Sequence, residues 1–161
     1  MTQRKLIAIG FGLLLLASQA VAQTKKEAVP ARTDEVGTVL RALYAAWGDL
    51  DPAKTARFYA KDADLAFFDV APMKYTGWAA YAAGVPQAFA PYKSGKFTLN
   101  DDLRTHRQGH LAWATATWHA ELTKKDGSKE SLEGRYTAVV EKRGDKWLVI
   151  HEHMSLPAPP Q

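Results

Sequence analysis

Two of the five histidines stand one residue apart near the C-terminus, as His151 and His153. Imidazole titrates near neutral pH, so such a pair could carry a proton in either direction or form the polar end of a ligand pocket. It could equally be a hydrogen-bonded pair that anchors the last strand. Asp69 follows Phe67 by two residues. If Phe67, Trp47 and Tyr44 strip water from its carboxyl, its pKa rises and it becomes a candidate base; otherwise it caps the loop before Ala71-Pro72. Tyr44 and Tyr136 could donate to a developing oxyanion, or be core residues with one satisfied hydroxyl each. The 161 residues include no cysteine, which excludes a thiol nucleophile, a thiolate zinc site and an iron–sulfur cluster. No GxxxxGK[ST] phosphate loop occurs. The His-x-His pair with His119 could supply three facial nitrogen ligands, but the expectation is no metal and no cofactor.

These groups need elements to hold them. Thr33 is a plausible N-cap, with Asp34 and Glu35 in the first turn of a helix. Val36, Val39, Leu40, Leu43, Tyr44 and Trp47 follow at spacings of three and four, and the helix stops at Gly48. Asp51-Pro52 opens a second, short helix to about Ala60. Leu65 to Val70 reads as a strand, and Thr76-Gly77 opens a third helix carrying Trp78, Tyr81 and Val85. From Phe97 the period changes to two, predicting strands at 97–107, 110–123, 130–143 and 146–155, with turns at Gln108-Gly109, Asp126-Gly127 and Gly144-Asp145. Helices first and strands after argue for an α+β fold, the helices packed on one face of a curved antiparallel sheet.

A two-residue Gly144-Asp145 turn sets Lys142 opposite Trp147, Val140 opposite Val149, Ala138 opposite His151 and Tyr136 opposite His153. Strict alternation then puts Trp147, Val149, His151, His153 and Ser155 on one face. Pairing through Asp126-Gly127 adds Trp113, Thr115, Thr117, His119 and Glu121 to that face, the expected lining of a pocket. The other face, with Val139, Leu148, Ile150 and Met154 beside Ala112, Ala114, Ala116 and Trp118, is apolar enough to be expected against a second subunit, with an ion pair between Arg135 and Glu152 there.

The ending Asp145-Lys146-Trp147-Leu148-Val149-Ile150-His151-Glu152-His153-Met154-Ser155, with Gly134-Arg135-Tyr136-Thr137 and Gly109-His110-Leu111-Ala112 before it, resembles the SnoaL-like branch of the nuclear transport factor 2-like superfamily. It is most similar there to the association (hub) domain of calcium/calmodulin-dependent protein kinase II. The resemblance spans about Thr33 to Pro157 and implies a cone-shaped barrel, a curved antiparallel sheet wrapped around N-terminal helices, with a deep pocket and dimers through the sheet. It implies no single activity, since members include ketosteroid isomerases, dehydratases, polyketide cyclases and assembly domains. The isomerases' base aspartate matches Phe67 here, with Asp69 two residues on, and their helix-one tyrosine matches Arg41, with Tyr44 a turn away. The hub's pocket arginines match Ala138 and His119.

Before this domain, Arg4-Lys5, the uncharged run Leu6 to Ala17 and Ala20-Val21-Ala22 form the three parts of a secretory signal peptide over 1–22. Cleavage after Ala22 leaves 139 residues, and losing Arg4 and Lys5 takes the formal charge from +4 to +2. A periplasmic or secreted chain is expected, with a flexible leader over 23–32, the domain over 33–157 and a tail over 158–161. Near-neutral charge argues against nucleic acid, and no membrane partner is expected once the signal is removed. The expected function is an exported domain that binds an unknown small molecule, as a homodimer or higher homo-oligomer. Candidate catalytic residues are His151, His153, Asp69 and Tyr44; candidate ligand contacts are His119, Tyr136, Trp113, Phe67 and Trp47. The alternatives are a cofactor-independent isomerase, dehydratase or cyclase moving a proton, and a purely structural hub-like module.

Overall fold

The structure, a computed structural model, describes residues 34–158. The expected signal peptide and leader, and positions 159–161 of the tail, lie outside them. Helix α1 (Glu35–Ala46) is capped by Asp34, whose Oδ1 accepts from Gly37 N at 2.9 Å, and it runs into a short 3₁₀ turn at Trp47–Asp49. Its buried residues Val36, Leu40, Leu43 and Tyr44 recur every three or four positions; full burial of Leu40 and Leu43 contributes about 2 kcal/mol each. Asp51 caps α2 (Pro52–Thr55), again with Pro at the first turn, and a second 3₁₀ turn covers Ala56–Phe58. Strands β1 (Ala66–Phe68) and β2 (Tyr75–Thr76) precede α3 (Gly77–Phe89).

The period-two half of the chain forms β3 (Tyr92–Leu99), β4 (Arg104–Gln108), β5 (Leu111–Lys124), β6 (Lys129–Arg143) and β7 (Lys146–Ser155). The stretch expected as one strand over 97–107 is therefore two, because the chain turns at Asn100 to Leu103. β3 and β4 both pair with β5. The sheet order is β2-β1-β7-β6-β5-β3, curved over the helices and not closed into a barrel. All its pairings are antiparallel except β1 with β7, which is parallel.

Two local features decide which side chains face the helices. The Gly144-Asp145 turn has two residues, as expected, and Gly144 takes a φ of 62° at the first position, which glycine adopts without steric cost. The turn between β5 and β6 is longer: Lys124 N donates to Ser128 O at 2.8 Å and Gly127 sits at φ 92°. This is a three-residue Lys125-Asp126-Gly127 loop, and it shifts the β5–β6 pairing by one residue. Ala112 pairs with Val140 and Ala114 with Ala138. Ala112, Ala114, Ala116 and Trp118 consequently form the core against the helices and make no second-subunit surface. Trp113, Thr115, Thr117 and Glu121 are exposed on the outer face, with His119 half-buried there.

The second feature is a β-bulge. Val140 pairs with Val149, but Val139 pairs with His151, so Ile150 is an extra residue in β7. Beyond it every side chain changes face: Ala138 is opposite Glu152 and Thr137 opposite His153, where alternation had set Ala138 against His151 and Tyr136 against His153. His151 and His153 turn outward. Glu152 turns into the core, 2% exposed, and Met154 follows it inward. Arg135 remains exposed on the outer face, so the expected Arg135–Glu152 pair does not form.

At Gly134, where β6 crosses Trp118, an added Cβ would lie 2.5 Å from both Ser155 O and the Trp118 ring. Gly134→Ala should therefore lower stability by about 1–3 kcal/mol through overpacking, read as a reduced midpoint in chemical denaturation.

Candidate functional site

The bulge delivers one carboxyl into an aromatic core, where three hydroxyls meet it. Tyr59 Oη donates to Glu152 Oε1 at 2.9 Å, Tyr81 Oη to the same oxygen at 2.7 Å and Tyr136 Oη to Oε2 at 3.2 Å. They come from distant parts of the chain: the end of the second 3₁₀ turn, α3 and β6. Their rings are locked by edge and stacked contacts, Tyr59 on Trp78 at 4.7 Å, Tyr81 on Phe67 at 5.3 Å and Tyr136 on Tyr44 at 5.0 Å. Burial raises the Glu152 carboxyl to about 7. The nearby Asp69 charge pushes the same way, and the three hydroxyl donors restrain the rise.

Beside this cluster lies a cavity of about 270 Å³. Its wall is mostly apolar, built from α1 and its following turn (Tyr44, Trp47), α3 (Tyr81, Val85, Phe89) and the inner face of the sheet (Trp118, Met154). Asp69, two residues beyond Phe67 and on the same inward side, supplies a carboxyl to it. Burial raises the Asp69 pKa, while the Val70 backbone N–H, donating at 2.7 Å, and the Tyr81 hydroxyl pull it back. Tyr44 Oη is buried without a hydrogen-bond partner, and burial followed by the charges of Glu152 and Asp69 raises its pKa well above the ordinary tyrosine value. Asp69 and Tyr44 thus stand together in the wall of a largely aromatic cavity, and the Tyr44 hydroxyl has no hydrogen-bond partner.

The sequence candidates are divided among three places. Asp69, Tyr44 and Trp47 line the cavity together. Phe67 and Tyr136 lie in the core behind it, Tyr136 bound to Glu152 and Phe67 packed on Tyr59 and Tyr81. His151, His153, His119 and Trp113 are on the outer face of the sheet. There the His151 Nδ1–H donates to Ala66 O at 2.7 Å, tying β7 to β1, and the Phe68 ring stands edge-on to both histidines. Trp113, 44% exposed, stacks on His106, and His119 lies 3.9 Å from Glu133. Glu152, Tyr59 and Tyr81 went unread as site residues. Strict alternation placed Glu152 outside, and nothing in a single sequence announces a one-residue bulge. The available hint was the single acid of β7, placed between two histidines, in a chain with tyrosines at 59, 81 and 136.

A carboxyl whose pKa is higher in the folded than in the unfolded chain binds a proton more readily when folded, so stability must fall as pH rises between the two values. For Glu152 that window runs from its ordinary 4.5 to about 7. At about 1.4 kcal/mol per pH unit the loss across it is about 3 kcal/mol. Denaturation midpoints should therefore drop from pH 5 to pH 7.5, and Glu152→Gln, which cannot ionise, should flatten most of that slope.

Comparison with known proteins places this geometry. Residues 36–159 match the SnoaL-like domain. No curated protein matches the chain. Among solved structures, a protein from Xanthomonas campestris assigned as a calcium/calmodulin-dependent protein kinase II association domain is 26% identical, with a TM-score of 0.68 over 81% of this chain and 92% of that one. A nuclear transport factor 2-like superfamily protein from Salmonella enterica serovar Typhimurium is 22% identical, with a TM-score of 0.69 over 79% and 92%. A protein from Streptomyces avermitilis assigned as a dehydratase of the same family type is 17% identical, with a TM-score of 0.68 over 78% and 96%. At such identities the last two share the fold alone. The match over nearly all the described residues makes this chain a member of the SnoaL-like domain family, with the α+β nuclear transport factor 2-like fold.

Proposed function

We propose that the cavity binds a small, largely apolar molecule carrying one oxygen group, which the Tyr44 hydroxyl and the Asp69 carboxyl receive. The observation that carries this reading is Tyr44, a residue of an apolar cavity wall whose Oη is buried without a hydrogen-bond partner. Leaving such a group without a hydrogen bond costs about 1–3 kcal/mol, and an oxygen on the ligand relieves that cost. Ligand pockets commonly run from about 300 to 1,000 Å³, so a cavity of about 270 Å³ suits a compact molecule of one or two rings. Trp47, Phe89, Phe97 and Trp118 favour flat aromatic faces. The leader sequence is the support for placing this binding outside the cytoplasm.

A second reading makes the same site catalytic. Asp69 is a carboxyl whose pKa burial raises, facing the same space as a phenol donor. That pair suits removal of a proton beside a carbonyl, with Tyr44 meeting the developing oxyanion. Asp69 takes the role considered for His151 and His153, whose imidazoles lie on the other side of the sheet. Proteins of this fold assigned as dehydratases are compatible with such chemistry, though fold likeness does not specify a reaction.

The two-ring probes 2-naphthol and naphthalene test the binding reading. Fluorescence titration should show 2-naphthol binding more tightly, and Tyr44→Phe should remove most of the preference, about 5- to 10-fold, the worth of one hydrogen bond. The melting temperature should stay level or rise, since an unpartnered buried hydroxyl is lost. His153→Ala, on the outer face, should leave both affinities unchanged. Equal affinity for the two probes, or none for either, would overturn the proposal and favour a structural, hub-like role.

A further inference from the structure

We propose that a groove lined by Met73 and Leu156 is a second binding site that extends the cavity. Together the two take a neutral molecule in which an aromatic head is joined, through a carbon bearing oxygen, to an alkyl chain. This rests on the reading of the cavity as the place of the head, with the Tyr44 hydroxyl on its oxygen.

The groove follows from the pairing of β1 with β7. Phe68 is the partner of His153, and the two strands run parallel. The next residue of each, Asp69 and Met154, lines the cavity, and with Val70 both also line the groove. Three shared residues make the cavity and the groove neighbours across one wall. Trp47, Phe97 and Trp118 belong to the cavity alone, and Met73 and Leu156 to the groove alone.

Among the described residues, the exposed large apolar side chains are Val70, Met73, Leu111, Trp113 and Leu156. Three of these five, Val70, Met73 and Leu156, line this groove, and Met73 is 91% exposed. Single apolar residues scattered over a surface need no explanation, but a group gathered on one concavity marks a place that an apolar partner covers. Continuity with the cavity identifies that partner as the remainder of the cavity's ligand. The cavity of about 270 Å³ is filled by one or two rings, and the open groove of about 570 Å³ has room for a flexible chain.

Charge decides the class of chain. No Lys or Arg lines either space, and the groove's other polar side chains, His153 and Ser155, are not permanent cations. Asp69, the carboxyl shared by both spaces, opposes a second negative charge. A fatty acid or a phosphate ester therefore finds no counter-ion here, whereas an uncharged chain ending in a methyl group needs none. With rings held by Trp47, Phe97 and Trp118 and chain carbons by Met73 and Leu156, the ligand's oxygen belongs between the two parts.

Isothermal titration calorimetry on the full chain with 1-(2-naphthyl)ethanone and 1-(2-naphthyl)hexan-1-one tests this. Each methylene that leaves water is worth about 3- to 4-fold in affinity. The hexanone, with its longer chain partly covered by the open groove, should bind at least about tenfold more tightly. Met73→Ser and Leu156→Ser should each cut that gain at least about threefold while leaving the ethanone and 2-naphthol unchanged. The chain-end carboxylate, 6-(2-naphthyl)-6-oxohexanoate, should lose most of the gain. Equal affinity for the two ketones, a gain that survives both substitutions, or a carboxylate bound as tightly as the hexanone overturns the proposal. So does a gain that emerges only after deletion of positions 159–161, which would make that segment the occupant. Sedimentation of the same variants covers a second copy of the chain: substitutions that break self-association and spare the gain overturn the proposal too. The underlying reading fails separately, because 2-naphthol and naphthalene binding alike defeats the oxygen site. A retained preference for 2-naphthol with no gain from the chain defeats only the groove.

Discussion

The Glu152 carboxyl sits where hydrocarbon packing would otherwise be continuous, and its burial is tolerable because phenol oxygens from three separated parts of the chain converge on it. Burying a carboxylate alone costs several kcal/mol or forces it to take a proton. The three donors reduce that cost, and the carboxyl settles near neutrality. In return Glu152 determines where Tyr59, Tyr81 and Tyr136 stand. Those rings hold Trp78, Phe67 and Tyr44 in their edge and stacked contacts. The far wall of the cavity is thereby linked to one acid on the last strand.

That acid points inward because of the extra residue Ile150. Without it, strict alternation would carry the two histidines into the helices and the glutamate out to solvent. The bulge also lets one strand serve two purposes. Its first half buries Trp147 and Val149 in the apolar core, and its second half presents Glu152 and Met154 inward while His151 fastens the outer face to β1 through the Ala66 carbonyl. A cavity bounded by Tyr44, Asp69 and Tyr81 then follows from the pairing of β1 with β7, which sets Phe67 beside Glu152 and carries Asp69 onward to the same side.

Much of this architecture is legible in the order of residues. The spacing of Val36, Leu40, Leu43 and Tyr44, the Asp51-Pro52 start and the change of period after Phe97 each report local physics, and each corresponds to an element. The two-residue turn at Gly144 was readable for the same reason, while the side taken by Asp69 was left open between a cavity carboxyl and a loop cap. The β5–β6 register was not, because Asp126-Gly127 is compatible with a two-residue turn and with the third position of a longer loop; the hydrogen bond from Lys124 to Ser128 belongs to the longer one. A one-residue difference there moves Trp113 and His119 to the outside and the alanine row to the core.

What the sequence by itself determined is the set of elements, their order and the α+β arrangement, since caps, turns and hydrophobic period act over a few neighbouring residues. The tertiary structure alone decided which of two adjacent residues, His151 or Glu152, enters the core. That choice depends on a bulge whose cost is recovered only when Tyr59, Tyr81 and Tyr136, as many as 93 positions from Glu152, arrive to bind the carboxyl.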